Sequence, residues 1–299
     1  LRCIFKTPCG ARPPANSAAS SAGWRGGGCT NARRNNRNRD VPLAVRRGTI
    51  HGIVGENGAG KSTLMGILYG YYQPDRGEIL VRGKPTAIRS ARDALVAGIG
   101  MVHQHFMLVE PFTVLENVVL GAEGGVRLGP ALARARASLE SLGRDYHLEI
   151  DPDARVADLS VGQRQRVEIL KALYRGADVL ILDEPTAVLT PAEADHLFRI
   201  LRSLREEGKA VLLITHKLRE IGAVTDVVTV MRQGRIEVTL PTAETTAEQL
   251  AELMVGRAVS LRVNKTPARP GEPLLEVTDL VVEDALGVPR VKRVGFSLR

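Results

Sequence analysis

A glycine-rich stretch, GENGAGKST at positions 55–63, has the spacing G-x-x-x-x-G-K-[ST]. Its glycines permit a tight turn whose backbone N–H groups can point at one anion, and the N-terminus of a following helix adds a partial positive charge. An apolar segment, TIHGIV, precedes the stretch, and TLMGILYG follows it with apolar residues at helical spacing. This strand–loop–helix context predicts a loop that binds the phosphates of a nucleoside triphosphate, rather than a glycine-rich turn without a ligand.

Two side chains of this loop carry the expected chemistry. Lys61 is predicted to reach the β- and γ-phosphates, and Ser62 to offer its hydroxyl to Mg²⁺. Nucleotide contacts are predicted along the whole loop, from Gly55, Glu56, Asn57, Gly58, Ala59, Gly60, Lys61, Ser62 and Thr63.

A second motif, VLILDEPT at 179–186, ends an apolar run with two carboxylates. A buried strand would deliver Asp183 and Glu184 at its carboxyl end, where α/β proteins bind ligands. Asp183 is predicted to hold Mg²⁺ through water, and Glu184 to act as the general base on the attacking water. An acidic loop after a core strand is the alternative for this motif alone, but the neighbouring phosphate loop favours the catalytic interpretation.

A third motif, LSVGQRQRVEILKAL at 159–173, predicts a helix that opens at Ser160 and Gly162. It closely resembles the LSGGQ signature of ABC ATPases, with Val161 at the position of one glycine. The resemblance implies ATP as the nucleotide. It also implies that Ser160, Gly162 and Gln163 contact the γ-phosphate held by a partner domain, so that two domains sandwich the nucleotide.

Two further residues match the ABC pattern. Gln104, in MVHQHFMLV, resembles the Q-loop glutamine, which touches Mg²⁺ and leads into the subdomain that faces the membrane partner. His216, in LLITHKL, resembles the switch histidine, a γ-phosphate contact. His103 and His105 flank Gln104, but no third ligand is near in sequence, so a separate metal site is disfavoured.

The sequence departs from the ABC pattern in two places. The D-loop, usually SALD, is AVLT at 187–190, with Thr190 in place of aspartate, a version that resembles the ATPases of simple-sugar importers. The family also carries an aromatic residue upstream of the phosphate loop that stacks on adenine. Here Phe5 and Trp24 are the candidates, and neither lies in a convincing strand.

The chain composition limits the possible partners. The net charge of the 299 residues is +8, but residues 1–40 carry +7 of it, so the remainder is close to neutral and nucleic acid is not expected as a partner. All three cysteines, Cys3, Cys9 and Cys29, lie in the same segment at spacings that match no zinc motif. No apolar run of membrane-spanning length and no secretory signal is visible in the sequence.

The hydrophobic pattern along the chain predicts an α/β protein. Apolar strands (TIHGIV, GIGMV, DVLILD, AVLLIT, DVVTVM) alternate with helical stretches, which predicts a buried parallel sheet. The resemblance implies a P-loop NTPase fold, a RecA-like parallel sheet with antiparallel edge strands and an inserted helical subdomain at about 105–175. RQGRIEV predicts a hairpin at the sheet edge, and TAEQLAELMVG a helix.

Four segments are expected along the chain. Residues 1–39 form an atypical N-terminus, expected to be disordered or misread; residues 40–256 form the ABC ATPase domain; residues 257–273 form a linker. Residues 274–299 alternate like paired strands, and VGFSLR echoes VPLAVR at 41–46. This repeat predicts the truncated start of a second ABC ATPase domain.

The resemblance implies the ATP-hydrolysing subunit of an importer for a nucleoside or simple sugar. The protein would sit on the cytoplasmic face of the cell membrane as a peripheral subunit. Membrane permease subunits, a second ABC ATPase half and, through the permease, a substrate-binding protein are the implied partners. Two alternatives remain: a soluble ABC protein acting in translation or DNA repair, and a regulatory protein that binds ATP without turnover. The short, proline-bearing join at 257–273 disfavours the first, and the intact site residues disfavour the second.

Overall fold

The computed structural model of this chain describes residues 2–4, 41–104, 106–122, 128–257, 271–284 and 287–299. The chain divides into two compact units, Leu1–Val259 and Ser260–Arg299. The first unit is an α/β fold around a mostly parallel sheet, which confirms the predicted fold class.

The central sheet has six strands, all parallel except one edge strand. They are β3 (Thr49–Val54), β6 (Ile99–Val102), β7 (Val179–Asp183), β8 (Ala210–Ile214), β9 (Val227–Arg232) and β10 (Arg235–Pro241). Their order is β10-β9-β3-β8-β7-β6, and β10 pairs antiparallel with β9. The five predicted apolar strands and the predicted edge hairpin are confirmed. Their apolar runs are continuous because helices cover both faces of the sheet.

The helices of the described chain begin mostly at side-chain caps. They are α1 (Lys61–Leu68), α2 (Ala91–Val96), α3 (Val114–Val119), α4 (Leu128–Tyr146), α5 (Val161–Tyr174), α6 (Pro191–Glu206), α7 (Leu218–Val224) and α8 (Ala247–Val255). Helices α3, α5, α6 and α8 each open with a capping box, in which a Ser or Thr and a Glu or Gln three residues later bond each other's backbone N–H. None of the helices described has the length and apolarity needed to cross a bilayer.

The sheet residues alternate between two hydrophobic cores. Leu180, Leu182 and Leu213 pack on the face that carries α5, α6 and the helical subdomain formed by α3, α4 and α5. Ile181 and Leu212 point to the opposite face, where α1 packs. The period of two along a strand therefore fastens a helical layer to each side of the sheet.

A second, antiparallel sheet includes a short strand near the N-terminus. Its order is β2-β1-β4-β5, from β1 (Arg2–Ile4), β2 (Pro42–Ala44), β4 (Glu78–Val81) and β5 (Lys84–Pro85). Residues 1–39 are expected from the sequence to be disordered or misread; within them, Arg2–Ile4 pairs with both β2 and β4. The composition of the segment is dominated by Gly, Ser and Arg, which disfavours folded structure. Three residues nevertheless suffice for a strand when partner strands on both sides form the hydrogen-bond ladder. Phe5, Trp24 and the rest of residues 5–40 lie outside the described part of the chain.

The second unit contains the predicted pair of strands. β11 (Leu275–Glu283) and β12 (Pro289–Leu298) form an antiparallel hairpin with Leu275 opposite Leu298. The register shifts between Val277 and Leu280 and twice more toward the turn, which marks β-bulges along the hairpin.

A buried histidine in β3 should make the first unit sensitive to acid. His51 is 2% exposed, and its Nε2 lies 2.7 Å from Thr229 Oγ1, which in turn bonds Thr239. Burial lowers the pKa of His51 to about 4, whereas an unfolded histidine titrates near 6.5. Between these values the unfolded chain binds a proton that the folded chain excludes, so stability falls as the pH falls from 6.5 toward 4.

We expect the titration of His51 to lower the free energy of unfolding by roughly 2 kcal/mol when the pH falls from 7 to 4.5. The measurement is urea unfolding at both pH values for the parent and His51→Gln, whose side chain does not titrate. The loss should be smaller in the variant by that amount, and an NMR titration should show one imidazole with a pKa near 4. Equal losses in both proteins, with every imidazole titrating above pH 6, would contradict the assignment.

Candidate nucleotide-binding site

The predicted site residues follow four neighbouring strands at one edge of the central sheet. The loop 55–63 follows β3, His216 lies just beyond β8, Asp183 ends β7, and Gln104 lies just beyond β6. These strands are parallel, so their carboxyl ends meet at the same edge. This is the edge at which open α/β sheets bind ligands.

The shape of the loop 55–63 depends on glycine at two positions. Gly60 precedes α1 with φ +98°, a left-handed conformation that residues with a side chain rarely adopt. A Cβ at Gly55 would overlap the carbonyl oxygen of Met231 on β9. Helix α1 therefore begins at Lys61 with no side-chain cap, and its first N–H groups face the loop.

Lys61 is the cation of this loop and is only 7% exposed. Its Nζ donates to the carbonyl oxygens of Gly55, at 2.7 Å, and Glu56, at 3.1 Å. Burial lowers the pKa of Lys61, while the charges of Glu184 and Asp183 act in the opposite direction. A buried ammonium held by neutral carbonyls is well placed to bind an anion, because a phosphate would replace weak partners with a charged one.

Asp183 and Glu184 form the acidic side of the site. Burial raises the pKa of Asp183, the charge of Glu184 raises it further, and Lys61 lowers it. The donor set fits Mg²⁺, a hard cation that takes one or two carboxylates and completes its shell with water and phosphate oxygens. In the part of the chain that is described, no three His, Cys, Asp or Glu side chains are grouped so that they could hold a metal ion.

Glu184 and His216 lie in direct contact. His216 Nδ1 is 2.9 Å from Glu184 Oε1, and the two side chains are 51% and 20% exposed, respectively. Glu184 has φ +47°, an uncommon conformation for a residue with a side chain, and its N–H donates to Ile214 O at 2.9 Å. Such backbone strain is typical of functional sites. The structure thus joins two residues that are 32 positions apart in the sequence.

Gln104 is exposed, and the segment that follows it is fastened to α5. The N–H of Met107 donates to Glu168 Oε1 at 2.9 Å, and Lys171 Nζ donates to the carbonyl of Met107 at 2.8 Å. Both backbone groups of one residue are therefore held by α5, while the Met107 side chain is 60% exposed. The sequence did not identify Glu168 or Lys171, and their spacing of three on a helix was the only available signal.

The expected histidine pair beside Gln104 is described only in part. His103 Nε2 lies 3.1 Å from the hydroxyl of Tyr71, whereas His105 falls outside the described residues. A metal site there remains disfavoured as a prediction.

The signature residues lie at the N-terminus of α5. The Ser160 hydroxyl accepts from the N–H of Gln163 at 3.3 Å, and Gln163 Oε1 accepts from the N–H of Ser160 at 2.9 Å. Gly162 packs against α6, where an added Cβ would overlap the carboxylate of Glu193. The structure thus places Gly162 beside Glu193 and Gln163 beside Ser160, on a helix of the helical subdomain.

The unusual residue of the D-loop has a structural role. Thr190 is the N-cap of α6, where its hydroxyl accepts from the N–H of Glu193 and the Glu193 carboxylate accepts from the N–H of Thr190 at 3.0 Å. Threonine and aspartate both cap helices in this way, so the exchange of Asp for Thr preserves the start of α6.

Comparison with known proteins identifies relatives over most of the chain. The ABC transporter family model matches residues 38–187, half of the 299-residue chain. The nucleoside import ATP-binding protein NupA of Lactococcus lactis is 50% identical over 262 residues, which cover 88% of this chain and 52% of that protein. The guanosine import ATP-binding protein NupO of Bacillus subtilis is also 50% identical over 262 residues, covering 88% and 51%. The chain therefore spans about half the length of these curated relatives.

Solved structures agree with the sequence relatives. CbiO1 from Clostridium perfringens, part of the ABC transporter complex cbiONQ, aligns with a TM-score of 0.62 at 29% identity, over 74% of this chain and 88% of its own. The dimeric bacterial ABC transporter cassette MJ0796 aligns with a TM-score of 0.58 at 27% identity, over 68% and 90%. With the family model matching half of its residues, this chain belongs to the ABC transporter family.

Proposed function

We propose that this chain is the ATP-hydrolysing subunit of an ABC importer that powers the uptake of a nucleoside or simple sugar through a membrane permease. The observation that carries the proposal is the 2.9 Å contact between Glu184 and His216 beside the buried Lys61 and the half-buried Asp183. The relatives named for nucleoside and guanosine import support the substrate class. Those names also favour an importer over a protein of translation or DNA repair.

The phosphate loop would bind and orient ATP. Gly55, Glu56, Asn57, Gly58, Ala59, Gly60, Lys61, Ser62 and Thr63 would surround the phosphates. Lys61 would exchange its bonds to the Gly55 and Glu56 carbonyls for the β- and γ-phosphates. Ser62, Asp183 and Gln104 would hold Mg²⁺, which when bound neutralises developing charge on the phosphates.

The Glu184–His216 pair would carry the hydrolytic step. An ionised Glu184 can only accept, so His216 must donate Nδ1–H across the 2.9 Å contact. This contact aims one carboxylate oxygen at the imidazole and leaves the other to take a proton from water as it attacks the γ-phosphate in line. In neutral His216 the other nitrogen, Nε2, is then unprotonated, so donation from it to phosphate requires the imidazolium form.

The site is proposed to be composite. Ser160, Gly162 and Gln163 would bind the γ-phosphate held by a second ABC cassette, and the signature of that cassette would complete the loop 55–63 of this chain. Two observations support this arrangement: the hydroxyl of Ser160 lies at the N-terminus of α5, and the similar cassette MJ0796 is dimeric. We further propose the domain boundaries 40–256 for the cassette, 257–273 for a linker, and 274–299 for the beginning of a second cassette, with residues 1–39 atypical.

The partners and location follow from the same proposal. Permease subunits would bind the cassette at the cytoplasmic face of the cell membrane, and a substrate-binding protein would act through the permease. No nucleic acid is expected as a partner.

Separate variants should divide binding from turnover. Lys61→Ala should abolish tight ATP binding, because the phosphates lose their buried cation. Glu184→Gln should bind ATP like the parent but lose turnover by about 100-fold or more, because the amide cannot accept the proton. Equilibrium binding and phosphate release are measured on each variant. Turnover by Glu184→Gln near the parent rate would show that another group is the base.

A composite site makes turnover depend on a second cassette. In an assay of this chain alone, the second cassette must be another copy of the same chain. Phosphate release per chain should therefore rise with protein concentration. Lys61→Ala and Ser160→Arg should each be inactive, yet an equal mixture should recover roughly one quarter of the parent rate if chains pair at random. Parent turnover that does not vary with concentration, together with no recovery in the mixture, would sink the composite arrangement.

A further inference from the structure

We propose that Glu220 is a positioning residue. By joining the two loops that carry Glu184 and His216, it holds these side chains at hydrogen-bonding distance. The inference rests on the proposed function for the meaning of that pair, but the contacts that carry it are independent of any nucleotide. Sequence motifs did not point to Glu220 or to its hydroxyl partners.

Glu220 is a buried carboxylate with two hydroxyl donors. It lies on α7 and is 9% exposed. Thr186 Oγ1 donates to its Oε1, and Thr215 Oγ1 donates to its Oε2 at 2.9 Å. Thr186 and Thr215 are 2% and 1% exposed, so neither hydroxyl can exchange this partner for bulk water.

Lys217 supplies the positive charge of this cluster. Its Nζ donates to the carbonyl of Thr186 at 2.9 Å and lies 3.2 Å from Glu220 Oε1. The N–H of Lys217 donates to Thr215 Oγ1 at 3.0 Å. The carboxylate is thus both hydrogen-bonded and paired with a charge, which is the condition under which a buried carboxylate is tolerated.

The positions of the two threonines give the cluster its consequence. Thr186 lies two residues after Glu184 at the end of β7, and Thr215 lies directly before His216 at the end of β8. The Glu220 carboxylate is therefore hydrogen-bonded to both loops, two residues after Glu184 and one residue before His216. A shift of either loop would have to break a buried hydrogen bond to Glu220.

This cluster is not needed to form the strands themselves. β7 and β8 already pair along their whole length, from Val179 with Ala210 to Asp183 with Ile214. Beyond the last paired residues, Glu184 and Thr215 each donate one backbone N–H to a neighbouring strand, to Ile214 O at 2.9 Å and Ile53 O at 3.3 Å, and Glu220 adds side-chain hydrogen bonds at Thr186 and Thr215. Removing a hydroxyl should thus loosen the loops while leaving the sheet intact.

The test compares a hydroxyl deletion at the cluster with a matched deletion elsewhere. Thr186→Val removes the hydroxyl at similar volume, and Thr186→Ser restores it. Tyr146→Phe is the control, because it also removes a hydroxyl that donates to a carboxylate, that of Glu207, which follows the C-terminal end of α6. Full-length variants are compared for thermal stability, ATP affinity, turnover and the state of His216.

We expect Thr186→Val to lower kcat about 10- to 100-fold, with ATP affinity within about twofold of the parent. Thr186→Ser should stay close to the parent, and so should Tyr146→Phe. The kcat of Glu220→Gln should fall as much as that of Thr186→Val. The kcat of the double variant should be little lower than that of either single variant, because both changes disrupt the same hydrogen-bonded cluster.

A second readout does not require turnover. In ¹⁵N-histidine-labelled protein, the His216 signals are those lost in His216→Gln. The parent should show a protonated Nδ1, while Thr186→Val and Glu220→Gln should both shift the pattern toward the other tautomer; Tyr146→Phe should match the parent. A parent that binds no ATP would contradict the proposed function, yet this shift would still support the inference. Parent-like ¹⁵N patterns in both cluster variants would overturn it, whatever their rates.

Discussion

The structure depends on a buried cation kept beside two carboxylates at the end of a parallel sheet. Lys61 is almost fully buried, its bonded partners are backbone carbonyls, and Asp183 and Glu184 supply the opposing charge. Burial penalises the charged forms of both Lys61 and Asp183, so their pKa values shift in opposite directions. Because burial removes water from these charged groups, a bound triphosphate with its cation would gain favourable electrostatic interactions with them.

The geometry of the sheet makes this arrangement possible. β8 lies between β3 and β7, so the loop 55–63 and the Asp183–Glu184 pair come from strands that are two apart. The gap between them is filled by the loop after β8, which contributes His216. Hydrogen-bonding side chains then fix each loop beyond its strand: Glu220 joins the loops after β7 and β8, and Glu168 with Lys171 holds the segment after β6. These polar contacts add to the backbone hydrogen bonds that Glu184 and Thr215 still donate to neighbouring strands.

Local features of the site were predictable from the sequence, whereas long-range contacts were not. The phosphate loop, the apolar strands and the helix starts all rest on patterns within a few residues, such as the capping boxes at Ser160 and Thr190. The contact of Glu184 with His216 spans 32 positions, and that of Thr186 with Glu220 spans 34. No local pattern encodes such pairs, because they arise from strand order. The strand Arg2–Ile4 was missed for the same reason, since its ladder partners lie some 40 and 76 positions away.

Calorimetric titration of ATP with and without Mg²⁺ shows whether Lys61, Asp183 and their neighbours form a site for ATP with Mg²⁺. We expect Mg²⁺ to tighten ATP binding by the parent protein. Asp183→Asn should bind Mg²⁺-free ATP at least as well, because one negative charge has gone from beside the phosphates, but it should lose the gain from Mg²⁺. Absence of ATP binding by the parent, or an undiminished Mg²⁺ gain in Asp183→Asn, would contradict a site for ATP with Mg²⁺ at these residues.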